Sequence, residues 1–289
     1  MKIIETAREM KEEAARLRSG GRKIAFVPTM GCLHAGHLAL VGRARTLGDT
    51  VVVSVFVNPA QFGPAEDYKN YPRDMKKDAA IAEKAGVDMM FHPAALEVYP
   101  KGYGTLVKVE GLSEKLCGAS RPGHFNGVAT VVVKLFNMVT PHAAVFGLKD
   151  YQQQLIIRKL VKDLNMDVEI FAVETVREED GLAMSSRNLC LSAGEREAAR
   201  CIPRALEAAQ EAYSKGERHG ARIIESTAGV IKRERFAAAE YIRLCDPETL
   251  DDLDEAGDRA ILSVAVRIGR ARLIDNCMLG RGYGKILNS

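Results

Sequence analysis

At 289 residues, of which 47% are apolar and 27% charged, the chain has the composition of a folded globular protein, and its length predicts two domains. Lys and Arg number 41 against 38 Asp and Glu, and the basic residues are scattered, which argues against an extended contact with nucleic acid. The six cysteines form no Cys-x-x-Cys pair, and no apolar run approaches the ~20 residues of a membrane span. These features argue against a disulfide scaffold, a zinc ribbon and a membrane protein, and the lack of a signal-peptide core predicts a cytoplasmic location.

Strand and helix patterns alternate through the first part of the chain. In chain order, the predicted elements are a helix over 6–18, a strand over 24–27, a helix over 36–47, a strand over 50–57, a helix over 75–85, a strand over 87–91, a helix over 128–139, a strand over 143–146, a helix over 151–164 and a strand over 168–173. The run over 50–57 is almost continuously β-branched, as a strand buried on both faces requires. The alternation predicts a doubly wound, Rossmann-like parallel α/β sheet.

The pattern changes after Asn188. It predicts long helices over 193–213 and 221–234 and short strands near 240–244 and 260–266. These elements indicate a smaller α+β domain at the C-terminus. Residues 177–181 (Arg-Glu-Glu-Asp-Gly) form a polar connection, so the predicted domains are residues 1–175 and 176–289.

The turn after the first predicted strand carries the clearest chemical signal. Residues 28–37 are Pro-Thr-Met-Gly-Cys-Leu-His-Ala-Gly-His. A strand that ends in a Gly-containing turn and leads into a helix places backbone N–H groups and the helix dipole around an anion-sized space. His34 and His37 can both face that space from the first helical turn. The spacing predicts a phosphate site that contains two imidazoles.

Two other interpretations of this turn stay open. In the first, one histidine only caps the helix or packs. In the second, Cys32, His34 and His37 bind a metal ion, although no fourth ligand lies at a supporting spacing. Gly31 and Gly36 favour a ligand, because glycine lets the backbone approach one closely.

Polar residues also follow other predicted strands, at the edge where open α/β sheets bind ligands. They lie in residues 58–62, 147–150 and 184–187. Lys149 can reach a phosphate as a point charge, and Asp150 can cap the next helix. Ser185, Ser186 and Arg187 combine hydroxyl donors with a forked cation that matches phosphate oxygens.

Two neutral side chains suit a small hydroxylated substrate. Gln61 and Gln153 supply donors and acceptors without adding charge, although surface glutamines are the common alternative. Residues 121–127 (Arg-Pro-Gly-His-Phe-Asn-Gly) offer a further cation and imidazole, or only a turn that enters the helix over 128–139.

Taken in order, these segments resemble the pantothenate synthetase (pantoate–β-alanine ligase) family over essentially the whole chain. The His-x-Gly-His element alone marks the wider nucleotidyltransferase superfamily, which includes class I aminoacyl-tRNA synthetases, whereas the ordered set is specific to the family. The segments that carry the resemblance are residues 28–37, 56–62, 121–128, 147–153, 184–188 and 271–276.

The resemblance implies a reaction and an assembly. ATP, with Mg²⁺, would first react with (R)-pantoate to form a pantoyl-adenylate and release pyrophosphate. β-Alanine would then react with the adenylate to give pantothenate and AMP. The C-terminal domain would act as a lid over the phosphates, and the chain would form a homodimer. Two alternatives are a nucleotidyltransferase with a different acceptor and a catalytically silent nucleotide-binding protein.

The resemblance also implies roles for individual residues. The implied catalytic residues are His34, His37, Lys149 and Arg187, with His37 as either a proton donor or a transition-state stabiliser. The implied substrate ligands are Gln61 and Gln153, and the candidate magnesium ligand is Asp78. The implied ATP-binding residues are Met30, Gly31, Cys32, Leu33, His34, Ala35, Gly36, His37, Gly147, Leu148, Lys149, Asp150, Val176, Met184, Ser185, Ser186 and Arg187.

Overall fold

The computed structural model describes residues 1–63, 68 and 71–280, and the chain forms two compact units. The first unit comprises Met1–Ser113, Arg121–Gly147 and Gln153–Val173. The second comprises Glu114–Ser120, Leu148–Gln152 and the chain from Glu174 onward. Two short segments from the first part of the sequence therefore belong to the second unit. The domain boundary between residues 175 and 176 stays a prediction.

The first unit contains a parallel sheet, which confirms the predicted α/β fold. Its strands are β1 (Lys2–Ile4), β2 (Ile24–Thr29), β3 (Thr50–Val55), β4 (Met89–Phe91), β5 (Ala143–Gly147) and β6 (Glu169–Val173). They lie in the order β1-β4-β3-β2-β5-β6, and every pairing is parallel. All six residues of β3 are buried, as its β-branched run predicts. The short edge strand β1 has no counterpart among the predicted elements.

The strand order creates one switch point. From β2 the chain proceeds through β3 and β4 on one side, and β5 and β6 lie on the other side. The carboxyl ends of β2 and β5 are therefore neighbours at the position where open α/β sheets bind ligands. The histidine turn follows β2, and the segment that contains Lys149 follows β5.

Helices connect the strands of the first unit and form much of the second. In chain order they are α1 (Ala7–Ser19), α2 (Ala35–Arg45), α3 (Met75–Lys84), α4 (Ala95–Val98), α5 (Leu116–Ser120), α6 (His124–Val139), α7 (Tyr151–Asp163), α8 (Ala193–Ala198), α9 (Cys201–Ser214) and α10 (Gly220–Lys232). Helix α6 begins before its predicted start at residue 128, because Gly123, with φ of 83°, turns the chain into the helix. Within the described ranges, no helix combines the length and apolarity needed to cross a bilayer.

The second unit packs helices against an antiparallel sheet. Its strands are β7 (Ala237–Cys245), β8 (Ile261–Ile268) and β9 (Ala271–Met278), paired in that order. Strand β9 has no counterpart among the predicted elements. The single helix predicted over 193–213 is wrong: the chain forms α8 and α9, separated at Ala199 and Arg200. Pro203 accounts for the break, since it has no N–H to donate to the carbonyl of Ala199.

Residues 177–181 form a hydrogen-bonded turn rather than a loose connection. Arg177 pairs with Ala183 in an antiparallel bridge, and the N–H of Glu178 donates to the carbonyl of Leu182 at 2.8 Å. Arg196, in α8, forms ion pairs with Glu178 at 2.6 Å and with Asp180 at 2.7 Å. This segment is therefore part of the packed structure of the second unit.

Candidate active site

One buried carboxylate shapes the turn that follows β2. Asp78, in α3, is 2% exposed, and its oxygens accept the N–H groups of Cys32 at 2.9 Å and Leu33 at 2.7 Å. Gly31 and Cys32 have positive φ angles of 83° and 53°, and a Cβ on Gly31 would lie 2.8 Å from Asp78 Oδ2. Glycine at position 31 thus allows both the positive φ angle and the close approach of the Asp78 carboxylate. These contacts stabilise the turn, and they occupy both oxygens of the residue predicted as a magnesium ligand.

The two histidines are linked through the backbone at the start of α2. His34 is the N-cap residue, and its Nδ1 accepts the N–H of Gly36 at 3.1 Å. The N–H of His34 donates to Nδ1 of His37 at 3.3 Å, and the ring centroids are 4.1 Å apart. A backbone N–H can only donate, so neither Nδ1 carries a hydrogen, and each neutral ring carries it on Nε2.

These contacts bear on the interpretations left open for the turn. The Nδ1 atoms cap the helix, and the same tautomer makes each Nε2–H a hydrogen-bond donor. Capping and phosphate binding are therefore compatible. Among residues 1–63, 68 and 71–280, no three His, Cys, Asp or Glu side chains are grouped as the ligands of a metal ion would be.

Asn58 determines which way the amide of Gln61 faces. Asn58 is buried; its Nδ2 donates to Gln61 Oε1 and to the Gly127 carbonyl, both at 3.0 Å. Its Oδ1 accepts from the Tyr99 hydroxyl at 2.8 Å and from the Ala60 N–H at 3.2 Å. A carbonyl can only accept and a backbone N–H can only donate, so these partners allow one orientation of the Asn58 amide. Gln61 must then turn its oxygen toward Asn58.

The Gln61 amide consequently presents Nε2 as a donor on its other side, where Met30 Sδ lies 3.0 Å away. Burial raises the pKa of the Tyr99 hydroxyl well above its ordinary value, so this group stays protonated and continues to donate. The carbonyl of Gln61 is held as well, by His124 Nδ1 at 2.8 Å and by Arg121 at 3.4 Å. The first unit therefore fixes both the backbone and the side chain of Gln61.

Residues 121–127 support Gln61 through the start of α6. Arg121 Nη1 lies 3.0 Å from His124 Nε2, and because guanidinium can only donate, the His124 hydrogen is on Nδ1. A Cβ on Gly127 would lie 2.2 Å from the carbonyl oxygen of Ala60, so only glycine allows α6 to approach this closely. The predicted cation and imidazole are thus both involved in positioning residues 59–61.

Lys149 lies in the second unit, in the 3-10 turn Leu148–Asp150 that follows β5. Its Nζ lies 3.8 Å from Asp150 Oδ2, and both side chains are partly exposed. Asn276, in β9, donates from Nδ2 to the carbonyls of Leu148 and Lys149, each at 3.0 Å. The turn is therefore held from β9, and the capping role of Asp150 stays a prediction.

The second predicted phosphate segment lies in the same unit. Ser185 begins the 3-10 helix Ser186–Cys190, and its Oγ accepts the N–H of Arg187 at 3.2 Å. The N–H of Met184 donates to the carbonyl of Val176 at 3.0 Å. A pocket of this unit is lined by Lys149, Leu182, Ala183, Ser185, Asn188, Ile202, Leu273, Ile274 and Asp275. Two predicted phosphate ligands, Lys149 and Ser185, therefore share one pocket.

The glutamines at the start of α7 have different surroundings. Gln152 is buried; its Oε1 accepts the N–H of Cys117 at 3.0 Å, and its Nε2 donates to the Lys115 carbonyl at 2.7 Å. Gln153 is partly exposed. Gln152 thus ties the segment Leu148–Gln152 to α5 within the second unit, and the substrate role of Gln153 stays a prediction.

The sequence matches one protein family along almost its whole length. The model of the family described as pantoate-beta-alanine ligase matches residues 2–278. The chain belongs to the pantoate–β-alanine ligase family. The family resemblance seen in the sequence motifs is confirmed by this match.

Known members of this family align with almost the whole of this chain. The pantothenate synthetases of Geotalea uraniireducens and Thermotoga petrophila are 50% and 51% identical over 280 residues, which is 97% of this chain and 99% and 100% of theirs. The crystal structure of pantothenate synthetase from Thermus thermophilus has a TM-score of 0.91 at 47% identity, covering 96% of this chain and 99% of that one. The Francisella tularensis ligase, complexed with beta-gamma ATP and beta-alanine, has a TM-score of 0.82 at 34% identity, covering 98% and 99%.

The sequence motifs do not assign a site role to three residues that hydrogen bonds connect to the candidate site: Asn58, Tyr99 and Asn276. Asn58 lies close to Gln61 in one of the motif segments, and Asn276 ends another, so the sequence contained a signal for both. Tyr99 gave no local signal, because its partner Asn58 is 41 residues away. Asn58 and Asn276 each donate a hydrogen bond to a predicted site residue, whereas Tyr99 donates to Asn58 and supports Gln61 only through it.

Proposed function

We propose that this chain uses ATP to condense (R)-pantoate with β-alanine, which yields pantothenate, AMP and pyrophosphate through a pantoyl-adenylate. Family membership supports the reaction class. The observation that carries the proposal is the histidine turn at the switch point of the sheet, where backbone N–H groups, the start of α2 and two imidazole Nε2–H donors suit a triphosphate.

In the first half-reaction the carboxylate of pantoate attacks the α-phosphorus of ATP. A carboxylic acid with a pKa near ~4 is already ionised at neutral pH, so the step needs no general base. The protein must align the two groups and stabilise the charge that develops on the departing pyrophosphate. We assign the alignment of pantoate to Gln61 and Gln153. Gln61 would act by donating a hydrogen bond from its Nε2.

Charge stabilisation is assigned to six side chains. The proposed triphosphate ligands are His34, His37, Lys149, Ser185, Ser186 and Arg187. Because each histidine accepts a backbone N–H at Nδ1, we assign them the role of neutral Nε2–H donors rather than of acids. Lys149 and Arg187 supply the positive charge, the second as a planar fork.

The remaining nucleotide contacts are assigned mainly to backbone groups. They come from Met30, Gly31, Cys32, Leu33, Ala35, Gly36, Gly147, Leu148, Asp150, Val176 and Met184. Magnesium would enter with ATP, where it neutralises phosphate charge. Both oxygens of Asp78 already accept N–H groups and its side chain is 2% exposed, a poor fit to a direct magnesium ligand.

In the second half-reaction the neutral amine of β-alanine attacks the acyl carbon, and AMP leaves. Water is the competing nucleophile, so we assign residues 176–289 the role of a lid that excludes it from the adenylate. We further propose a cytoplasmic homodimer. Sedimentation at about micromolar concentration tests the assembly, and a monomer throughout would contradict it.

The reaction is tested by following pyrophosphate and AMP separately. Pyrophosphate release that requires both ATP and pantoate, and AMP release that then requires β-alanine, would support the proposal. Adenylation of a different acceptor would favour another nucleotidyltransferase. A folded chain that binds ATP without releasing pyrophosphate would indicate a silent nucleotide-binding protein.

A further inference from the structure

A side-chain amide of β9 donates hydrogen bonds to the backbone of the 3-10 turn Leu148–Asp150, which we call the Lys149 turn. Asn276 is 5% exposed, and its Nδ2 donates to two successive carbonyls, those of Leu148 and Lys149, each at 3.0 Å. Both peptide groups belong to the 3-10 turn that carries the Lys149 ammonium. The turn cannot rotate or shift along β9 without breaking both hydrogen bonds.

The oxygen of the Asn276 amide, unlike its nitrogen, is not hydrogen-bonded within the described residues. Asn276 Oδ1 is buried and accepts no hydrogen bond within the described chain. A buried polar atom without a partner lowers stability, so an apolar side chain of similar size would suit the fold better if stability were the only requirement. The useful part of Asn276 is therefore its pair of N–H donors, which neither leucine nor aspartate supplies.

The preceding residue of β9 holds the other candidate phosphate segment. Asp275 is 2% exposed and accepts two hydrogen bonds from Arg177, at 2.7 and 3.1 Å. Arg177 also donates to the carbonyl of Gly181 at 3.0 Å, within the turn that leads to Ser185. Consecutive residues of one strand thus anchor two segments whose side chains, Lys149 and Ser185, line the same pocket.

We propose that Asn276 is a positioning residue that holds Lys149 where charge develops on the triphosphate. The proposal rests on the proposed function, in which the Lys149 ammonium stabilises the departing pyrophosphate. Loss of the amide would release the turn and misplace the ammonium, and a displacement of ~1 Å can cost ~10²-fold in rate. Because the two hydrogen bonds that are lost end on Leu148 and Lys149, and on neither of the proposed pantoate ligands Gln61 and Gln153, the KM for pantoate should change little.

The test compares variants of Asn276 with a stability control in the same unit. Asn276→Asp keeps the shape but places a carboxylate against two carbonyl oxygens, and Asn276→Ala removes the donors. Thr227 is fully buried in α10 and donates one hydrogen bond to the Ile223 carbonyl at 2.8 Å, so Thr227→Val removes a buried hydrogen bond at similar volume. We expect kcat for pantoate-dependent pyrophosphate release to fall ~10- to 10²-fold in the Asn276 variants and less than about two-fold in Thr227→Val.

A double-mutant cycle separates positioning from a general structural effect. When Lys149 is already alanine, adding Asn276→Ala should lower the residual rate less than about three-fold, because no ammonium remains to be misplaced. Asn276→Ser, which keeps one donor, should give an intermediate kcat and provides a milder variant if the others do not fold.

Three results would overturn the assignment of Asn276: an unchanged kcat in a folded Asn276→Ala chain, an equal loss of kcat in Thr227→Val, or the same fold-loss from Asn276→Ala with and without Lys149. An unmodified chain that shows no pantoate-dependent pyrophosphate release would overturn the proposed function as well. Full activity of Lys149→Ala would contradict the role of Lys149 and with it that of Asn276, while leaving the reaction intact.

Discussion

His37 accepts the backbone N–H of His34 at Nδ1, at 3.3 Å, so the ring of one histidine helps to cap the helix that the other begins. This contact places the hydrogen of the neutral His37 ring on Nε2. The cap and the proposed donor are therefore two different atoms of one ring. Substitutions that keep one atom's function and remove the other's can separate the two tasks.

We predict different outcomes for His37→Asn and His37→Gln. An asparagine oxygen can replace Nδ1 in the cap, whereas a glutamine Nε2 can replace the ring Nε2–H. His37→Asn should keep its thermal midpoint and lose ~10²- to 10³-fold in adenylation rate. His37→Gln should retain more activity and lose about 1 kcal/mol of stability. Equal inactivation of both would indicate that His37 transfers a proton, since neither amide is an acid.

Lys149→Ala should lower pantoate-dependent pyrophosphate release by ~10²- to 10³-fold, because one transition-state charge contact is lost. The Lys149 side chain is partly exposed and its ion pair with Asp150 is 3.8 Å long, so the thermal midpoint should stay close to that of the unmodified chain. Lys159→Ala is the matched control, since Lys159 pairs with Asp163 on α7 at 2.7 Å and has no proposed catalytic role. Near-normal release by a folded Lys149→Ala chain would contradict the assignment.

Asn58→Asp should raise the KM for pantoate by about ten-fold and leave the KM for ATP nearly unchanged. Aspartate cannot donate to Gln61 Oε1, so the glutamine amide should reverse and present its oxygen where a donor is required. Tyr99→Phe provides a graded comparison: it removes one of two donors to Asn58 Oδ1 and should cost about 1 kcal/mol of stability with a smaller change in KM. Equal changes in both KM values would argue against a specific effect on Gln61.

Gly127→Ala should destabilise the chain by ~1–3 kcal/mol and raise the KM for pantoate, since the added Cβ would lie 2.2 Å from the Ala60 carbonyl oxygen. Gly42→Ala is the matched control. Gly42 is also helical, is exposed, and has nothing within 4 Å of its added Cβ, so alanine there should stabilise the helix by up to about 1 kcal/mol. Urea unfolding measures both changes, and a neutral Gly127→Ala would show that α6 shifts without cost.

The elements that the sequence predicted correctly are those with local signals. The β-branched run of β3 and the glycine-containing turn after β2 each carry their own pattern, and the structure forms both. Pro203 is a local signal as well, but the helix predicted over 193–213 runs through it, whereas the structure separates α8 from α9 just before it. The spacing of three residues predicts the two histidines as a pair, because it places them within one helical turn.

The supporting contacts could not be predicted in the same way, because their partners are distant in sequence. Asp78 is 46 residues from Cys32, and Asn276 is 127 residues from Lys149. Periodicity describes which face of an element is buried and says nothing about which distant peptide group a side chain contacts. Local motifs therefore predict the groups proposed to meet substrate, whereas the hydrogen-bond partners that hold those groups are revealed only by the fold.

The membership of Glu114–Ser120 and Leu148–Gln152 in the second unit has a consequence for how the chain can be divided. A fragment that starts at residue 176 would lack the carbonyls that Asn276 contacts and the Tyr151 hydroxyl that donates to Pro247 at 2.9 Å. Such a fragment would leave buried polar groups unsatisfied and expose apolar surface. The two parts of the chain should therefore behave as complementing halves that fold when combined, rather than as modules that can be exchanged between proteins.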